Sequence, residues 1–298
     1  MNIDKLYESV ADKGHVCVGL DTCIDYVPVS ERKNAQNDCE AVLSFNKAIA
    51  DATADIAACF KVQIAYYEEM GVSGLKTYAN TLKYIREKGS LVIADIKRGD
   101  IADTAARYAK AHYSGDFEAD FVTLSPYMGM DSVEPWVKYA HNNSGKGAFV
   151  LLRTSNPGMK DFEYLELTGD SGKNRLYNEV GKKLSSLAGD YKGRFGYGMF
   201  GAVVGCTEKD EAAAIRKNHP DLFFLIPGYG AQGGGAQEAA ALLRNGNGGV
   251  VNASRSIITA WKKFCSVVPR TVNADNAFAA EAARCAVEKM RDEIRGAL

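Results

Sequence analysis

Short apolar runs alternate with longer stretches of helical periodicity along most of the chain, and this alternation constrains the fold more than any other feature. The runs are rich in Val, Ile and Phe, and amphipathic, alanine-rich stretches such as 39–56 lie between them. Eight runs occur, at residues 15–21, 59–65, 90–97, 120–126, 147–153, 199–205, 222–228 and 248–254. Alternating strands and helices form a parallel sheet covered by helices, and eight such units over this length predict a closed (β/α)₈ TIM barrel.

A doubly wound open sheet is the competing architecture for this pattern. Six or seven units and a glycine-rich turn after the first strand would favour it, whereas "LDTCID" follows the first run here. No Pro- or Ser-rich linker and no shift in composition marks a boundary, so residues 1–298 are predicted to form a single domain. Two connections are long, at 22–38 and 155–173, and we expect them to form lids or walls of a site.

The composition limits the kinds of partner that the protein could have. Of the 298 residues, 46% are hydrophobic and 24% are charged, and the formal net charge is -1. This near-neutral balance gives no electrostatic reason to expect nucleic acid or an anionic membrane as a partner. No apolar stretch reaches the roughly 18 residues that span a bilayer, and the acidic N-terminus lacks the apolar core of a signal peptide.

The cysteines and histidines indicate neither a disulfide framework nor a metal site. There are seven cysteines and four histidines, and both sets are scattered along the chain without C-x-x-C or other metal-ligand spacing. An odd number of scattered cysteines is typical of reduced thiols. We therefore predict a cytoplasmic protein without a metal site.

Polar residues collect where the predicted strands end. In a barrel these ends and the loops that follow them build the site. The residues are Asp21, Lys61, Asp95, Lys97, Ser125, Thr154, Ser155, Gln232 and Arg255. Each alone has a structural explanation, such as a turn cap, a solvent-reaching lysine or a buried ion pair. Together they are hard to explain by stability alone, and they predict a site on this face of the barrel.

The stretch "ADIKRGDIADT" (94–104) places unusual charge at the end of a buried strand. Because side chains on a strand alternate between faces, Asp95 and Lys97 point the same way. An interior face that ends in a carboxylate beside an ammonium is either a buried ion pair or a functional site.

The glycine-rich stretch "PGYGAQGG" (227–234) favours a phosphate site. It contains G-x-G-x-x-G, but it follows the seventh strand, and no Asp or Glu occurs between 239 and 274 to bind a ribose. In barrels the loops after strands 7 and 8 often bind phosphate through backbone N–H groups. Arg255, after strand 8, could supply a bidentate guanidinium. A flexible glycine loop is the alternative explanation.

These motifs together resemble the orotidine 5′-monophosphate decarboxylase family. "DIKRGDIADT" is similar to the family signature D-x-K-x-x-D-I-x-x-T. "FKV", "TSNPG", "PGYGAQGG" and "SRS" follow in the family's order, and the resemblance extends from Gly19 to Ile257. The extended loops after strands 1 and 5 resemble the longer, bacterial-type members.

The resemblance implies a residue set and a homodimer. It assigns catalysis to an alternating charged array of Lys61, Asp95, Lys97 and Asp100. It further implies that Asp100, Ile101 and Thr104 complete the neighbouring subunit's site. Ligand contacts are implied for Asp21 and Lys61 with the ribose, Ser155 with the pyrimidine, and Gln232 and Arg255 with the phosphate. No cofactor or metal is implied.

The implied reaction is the decarboxylation of orotidine 5′-monophosphate to uridine 5′-monophosphate, with Lys97 stabilising and protonating an anion at C6. Two alternatives stay open. A metal-dependent keto-sugar phosphate decarboxylase shares D-x-K-x-x-D, although Lys61 and "GAQGG" argue against it. A catalytically silent nucleotide-binding barrel would lack turnover, although the complete charged array argues against that.

Overall fold

A computed structural model describes residues 1–140, 144–169, 172–207, 209–230, 233–267 and 274–298. The strands are β1 Val16–Gly19, β2 Cys59–Gln63, β3 Val92–Arg98, β4 Phe121–Leu124, β5 Gly147–Arg153, β6 Glu166–Gly169, β7 Gly172–Arg175, β8 Phe200–Val204, β9 Phe224–Ile226 and β10 Gly249–Ala253. Eight of them are parallel and close into a barrel in the order β1-β10-β9-β8-β5-β4-β3-β2, whereas β6 and β7 form a separate hairpin. The predicted (β/α)₈ barrel is confirmed.

Helices surround the barrel and connect its strands. They are α1 Asn2–Lys13, α2 Val29–Asn34, α3 Asp38–Thr53, α4 Ala65–Glu68, α5 Gly71–Glu87, α6 Ala102–Ser114, α7 Glu134–Val137, α8 Leu176–Asp190, α9 Lys209–Asn218, α10 Ala236–Ala241, α11 Arg255–Ile258, α12 Ala260–Val267 and α13 Asn276–Ala297. Within the described ranges, no helix is both long and apolar enough to cross a membrane.

Two connections differ from the sequence-based expectation. Between β4 and β5 the described residues form only a short 3₁₀ turn, Met130–Ser132, and the single turn of α7. Gly129 and Pro135 interrupt this stretch, and both residue types disfavour a long helix. The connection predicted as a loop at 155–173 carries a 3₁₀ turn and the antiparallel hairpin β6–β7. We call residues 155–175 the insertion.

The barrel interior divides into an aromatic floor and a polar mouth. Phe121, Phe149 and Phe223 lie in the floor, with ring centroids 5.3 Å apart for the first pair and 6.5 Å for the second. Gly201 makes room for them, because a Cβ at this position would lie 2.9 Å from the Phe149 ring. The polar residues above this floor form the mouth, where the strands end.

Candidate active site

A cavity of about 420 Å³ opens at the carboxyl ends of the barrel strands. This volume lies within the usual range for small-molecule sites. Its polar lining residues are Asp21, Tyr26, Lys61, Gln63, Tyr66, Asp95, Lys97, Thr123, Thr154, Ser155, Asn156, Tyr229, Asn252, Ser254, Arg255 and Ser256. The sequence-based prediction of polar groups on this face therefore corresponds to a real concave surface.

Four charged side chains of alternating sign meet on one side of the cavity. Lys61 Nζ lies 3.2 Å from Asp21 Oδ1 and 2.8 Å from Asp95 Oδ2. Lys97 Nζ lies 2.6 Å from Asp95 Oδ1. Lys61 and Asp95 are buried, whereas 47% of the Lys97 side chain is exposed. Lys97 therefore presents the most accessible positive charge of this charged array to the cavity.

Strand register sets this geometry. In β1, β2 and β3, Gly19 pairs with Lys61 and Lys61 pairs with Ile93, so these residues lie at one level of the barrel. Gln63 pairs with Asp95 one step higher. Interior-facing residues alternate along each strand. Lys61 and Asp95 therefore enter the barrel on neighbouring strands at adjacent levels, close enough for the contact described above.

The array stabilises its own charged state. Burial disfavours the ammonium of Lys61, but the carboxylates of Asp21 and Asp95 outweigh this effect and raise the pKa of Lys61 above its ordinary value. Burial also disfavours the carboxylate of Asp95, but Lys61 and Lys97 outweigh it and hold the pKa of Asp95 well below its ordinary value. Lys61 and Asp95 are therefore both charged at neutral pH.

The backbone at Lys97 departs from regular strand geometry. The φ angle of Lys97 is 44°, in the left-handed region that residues other than glycine rarely adopt. The register between β3 and β4 also shifts between Ala94 and Arg98, as at a β-bulge. Lys97 therefore projects from an irregular point of β3.

The start of the insertion lines another part of the cavity wall, through Ser155 and Asn156. Glu163 accepts hydrogen bonds from the backbone N–H of Thr154 at 2.9 Å and from its hydroxyl at 2.7 Å. Ser155 follows and packs closely against β8, where a Cβ at Gly205 would lie 2.8 Å from the Ser155 Cβ. The predicted pyrimidine contact, Ser155, thus lies on the cavity surface in a constrained position.

A second polar cluster connects the insertion to the barrel behind this wall. Glu211 accepts hydrogen bonds from the Tyr164 hydroxyl and from Arg175 at 2.5 Å. Its carboxylate also lies 3.4 Å from Nε of Arg153, a fully buried residue of β5. The Arg175 guanidinium lies 4.0 Å from the centroid of the Tyr164 ring. Sequence reasoning did not identify this cluster.

The glycine-rich loop after β9 folds back on itself. Gly228, Gly230 and Gly233 all have positive φ angles, of 100°, 72° and 90°. The N–H of Gly230 donates to the carbonyl of Gly234 at 2.8 Å, which closes the turn. Gln232, the predicted phosphate ligand in this loop, lies outside the described residues.

Arg255 lies beside this loop at the start of α11. It lines the cavity and is exposed. Among the described residues it forms no ion pair with a carboxylate. An exposed guanidinium at the rim of a cavity can bind an anion through paired N–H donors.

Asp100, Ile101 and Thr104 lie outside the cavity lining within this chain. The Asp100 carboxylate accepts the N–H of Ile101 at 2.8 Å. The side chain of Ile101 is 45% exposed, and Thr104 is also exposed. Within this chain the segment therefore does not contribute to the cavity.

The carboxylates that the structure describes at the mouth form no cluster of metal ligands. Among the residues that the structure describes, no group of three or more His, Cys, Asp or Glu side chains is placed to hold a metal ion. The carboxylates of the array contact lysines instead.

Comparison with known proteins decides the family. A sequence model of the orotidine 5′-phosphate decarboxylase / HUMPS family matches residues 14–263. The chain belongs to this family. Among relatives, the orotidine 5′-phosphate decarboxylase of Clostridium perfringens (strain SM101 / Type A) is 53% identical over 298 residues, covering 100% of this chain and 99% of the relative. The Clostridium acetobutylicum orotidine 5′-phosphate decarboxylase is 54% identical, covering 100% of each chain.

Solved structures agree with this assignment to the orotidine 5′-phosphate decarboxylase / HUMPS family. The OMP decarboxylase of Leishmania donovani has a TM-score of 0.72 and 30% sequence identity, with 97% of this chain and 98% of that chain covered. The match over nearly both whole chains confirms the family predicted from the sequence motifs.

Some lining residues of this family member were missed from the sequence. Sequence reasoning selected Ser125 in the fourth unit, but β4 ends at Leu124 and Thr123 is the residue that lines the cavity. Strand alternation from Phe121 would have placed Thr123 on the interior face. Gln63 could have been found in the same way, two residues after Lys61. No signal in the sequence identified Tyr66, which follows β2.

Proposed function

We propose that this protein is a carboxy-lyase that converts orotidine 5′-monophosphate to uridine 5′-monophosphate without a metal ion or cofactor. The alternating array of Asp21, Lys61, Asp95 and Lys97 at the barrel mouth carries this proposal. Family membership and full-length relatives named as orotidine 5′-phosphate decarboxylases support it.

The chemistry requires positive charge beside C6 of the pyrimidine. When the bond between C6 and the carboxylate carbon breaks, its electron pair stays on C6 in an orbital of the ring plane. That orbital is orthogonal to the π system, so delocalisation stabilises it little. A cation fixed in advance beside C6 lowers the energy of this anion without reorganisation during reaction. Lys97 is the proposed cation, because its ammonium is the exposed end of the array.

Lys97 also completes the reaction as the proton donor. Carbon dioxide leaves, the C6 electron pair accepts a proton from the Lys97 ammonium, and the resulting amine recovers a proton from solvent. Asp95 holds the ammonium in place, with its Oδ1 at 2.6 Å from Lys97 Nζ. Lys61 in turn neutralises the second oxygen of Asp95 at 2.8 Å.

Repulsion between an aspartate and the substrate carboxylate is too small to explain the rate alone. Two unit charges about 4 Å apart interact by about 4 kcal/mol at an effective dielectric near 20. Enzymes typically lower barriers by about 8–23 kcal/mol. Stabilisation of the anion, together with binding energy from the remote phosphate, must supply the remainder.

The proposed substrate orientation follows from the two sides of the cavity. The ribose hydroxyls bind Asp21 and Lys61, and the pyrimidine binds Ser155. The phosphate binds the loop at 228–234, with Gln232, and the guanidinium of Arg255. The positive φ angles of that loop support this orientation, as does the exposed Arg255, which has no carboxylate partner among the described residues.

A homodimer is part of the proposal, with Asp100, Ile101 and Thr104 completing the neighbouring site. Exposed apolar side chains lie on this segment and in the connections after β4 and β5: Ile101 is 45% exposed, Tyr127 77%, Met128 50% and Phe162 55%. The Tyr127 and Phe162 rings contact each other, with centroids 5.9 Å apart. Apolar patches of this kind are typical of interfaces.

We also infer a cytoplasmic location. The six described cysteines are free, which suits a reducing compartment.

The activity is tested by the loss of ultraviolet absorbance of orotidine 5′-monophosphate with purified protein in EDTA. Turnover that persists in EDTA is expected. Turnover that requires added Mg²⁺ would contradict the metal-free mechanism. No turnover of this nucleotide, with Mg²⁺-dependent loss of a keto-sugar phosphate, would replace the proposed substrate.

The shared site is tested by mixing two inactive variants, Lys97→Ala and Asp100→Ala. If Asp100 acts in the neighbouring site, a mixed dimer contains one site with both residues intact. Random exchange at equal concentrations then restores about a quarter of the wild-type sites. Activity that does not recover, while subunit exchange is shown by mass spectrometry of labelled subunits, would contradict the shared site.

A further inference from the structure

The hydroxyl of Thr123 in β4 uses its full hydrogen-bonding capacity within the charged array. Its Oγ1 accepts the backbone N–H groups of Ile96 and Lys97, each at 2.9 Å. It donates to Oδ1 of Asp95 at 2.8 Å. A threonine hydroxyl has one donor and two acceptor positions, so all are occupied. The residue is 1% exposed, so solvent cannot replace these bonds.

These bonds lie at the irregular point of β3. The left-handed conformation of Lys97 is strained for a residue other than glycine and persists only where its surroundings hold it. At this bulge the regular ladder between β3 and β4 is interrupted between Ala94 and Arg98. The Thr123 hydroxyl therefore replaces a strand partner for two consecutive backbone N–H groups.

The same hydroxyl also fixes the partner of the Lys97 ammonium. Asp95 Oδ1 accepts both the Thr123 hydroxyl and Lys97 Nζ. One side chain thus holds both the backbone from which Lys97 projects and the carboxylate that Lys97 contacts. Two separate constraints on the position of the lysine depend on a single oxygen atom.

We propose that Thr123 is a positioning residue that holds Lys97 at the reacting carbon. This inference rests on the proposed function. Thr123 acts through the Lys97 backbone and Asp95, and its contribution is made in the transition state, when negative charge develops beside the ammonium. Loss of the hydroxyl therefore lowers kcat and leaves nucleotide binding unchanged.

The test compares Thr123→Val, which removes the hydroxyl and keeps the shape, with Thr123→Ser, which keeps the hydroxyl. A displacement of about 1 Å at a reacting group can cost about 100-fold in rate. We expect kcat of Thr123→Val to fall by about 10- to 100-fold, with KM and the Kd of uridine 5′-monophosphate within about threefold of wild type. Thr123→Ser should retain kcat within about threefold.

A matched control separates this effect from a general loss of stability. Thr53 is a buried threonine of α3 whose hydroxyl donates to the Ile49 carbonyl at 2.7 Å, and it does not line the cavity. Thr53→Val should lower Tm and leave kcat unchanged. Should Thr123→Val fail to fold, Thr123→Cys replaces it, because a thiol is a weaker hydrogen-bonding group of similar shape. Its kcat should then fall below that of Thr123→Ser.

Three results would overturn the inference. One is an unchanged kcat in Thr123→Val, or in Thr123→Cys if that variant is used. Another is an equal loss in the Val and Ser variants, which would point to the methyl group. A third is an increase in KM with kcat unchanged, which would mean that Thr123 contacts the substrate directly. If the wild-type protein does not convert orotidine 5′-monophosphate at all, the proposed function itself fails, which is a distinct result.

Discussion

The two sides of the barrel mouth are built in different ways. On the β1–β4 side, Lys61, Asp95 and Thr123 project from strands, and their charged and polar atoms already bind one another. On the other side, Ser155 and Arg255 follow strands β5 and β10, and Arg255 is exposed without a carboxylate partner among the described residues. On the first side the charged and polar groups bind one another, whereas on the second the Arg255 guanidinium has no carboxylate partner among the described residues. We call them the strand side and the loop side.

Under the proposed function, this difference divides two tasks between the two sides of the mouth. Stabilising a short-lived anion requires charges that are fixed before the reaction, and strands with paired charges supply them. Binding a phosphate and a pyrimidine requires groups that can exchange water for ligand, and loop positions suit that task. Changes on the strand side should therefore affect kcat and stability, and changes on the loop side should affect KM.

The largest expected effect is that of Lys97→Ala. Removing both the fixed cation and the proton donor should lower kcat by about 10⁴-fold or more. Because 47% of the side chain is exposed, the protein should still fold, with Tm close to that of the wild type. Steady-state kinetics and thermal unfolding measure both quantities. Lys76→Ala, at an exposed position of α5, serves as the control and should retain activity. Near wild-type turnover in Lys97→Ala would contradict the assignment.

Lys61→Met should combine a loss of activity with a large loss of stability. It leaves Asp95 and Asp21 without the buried cation between them, and breaking a buried ion pair by removing one partner costs about 3–5 kcal/mol. Urea unfolding measures the free energy of unfolding. Lys146→Met is a matched control, because Lys146 is also buried and contacts Glu118 at 2.8 Å away from the cavity. That variant should lose stability but retain kcat. If Lys61→Met and Lys146→Met had equal kcat, the ion pairs of Lys61 would be structural, like that of Lys146, and would have no separate role in catalysis.

The same division explains what the sequence could predict. The barrel and the charged residues at strand ends follow from alternation, which has a fixed period and needs no knowledge of neighbouring strands. Lys61, Asp95 and Lys97 were found in this way, and the structure brings them together. Their catalytic roles remain predictions.

Long-range contacts could not be predicted from one sequence. The Glu211 cluster joins residues of β5, the insertion and α9, whose meeting depends on how the insertion folds. The bulge at Lys97 depends on a hydroxyl of another strand, and no local pattern in "ADIKRGD" indicates a left-handed lysine. Such features depend on tertiary packing, which overrides local preference.

On the loop side, Arg255→Ala should raise KM for orotidine 5′-monophosphate by about 100-fold and change kcat at saturation much less. The phosphate is remote from C6, so the guanidinium should contribute mainly to binding. With orotidine, which lacks the phosphate, variant and wild type should have equal kcat/KM. Arg244→Ala is the control, since Arg244 pairs with Asp221 and is not part of the cavity wall. An equal loss with orotidine would place Arg255 outside the phosphate site.

The smallest expected effect is on the free energy of unfolding in acid, to which Asp95 on the strand side contributes. The native pKa of Asp95 is held below its unfolded value of about 3.9, so the unfolded chain binds more protons as the pH falls through that range. The stabilisation from Asp95 is therefore fully present above about pH 5 and is lost progressively below about pH 4. One such group changes the free energy of unfolding by at most about 1.4 kcal/mol per pH unit.

Lys97→Ala tests this contribution of Asp95 to acid stability, because the substitution removes one of the two cations that lower the pKa of Asp95. The native pKa of Asp95 should then move towards the unfolded value, and the slope of unfolding free energy against pH should become shallower between about pH 2 and 4. Urea unfolding at several pH values measures the slopes. Arg255→Ala should leave the slope unchanged, since Arg255 pairs with no carboxylate among the described residues. Equal slopes in Lys97→Ala and wild type would show that Lys61 alone keeps Asp95 ionised. The strand side would then need Lys97 for the reaction but not to keep Asp95 charged.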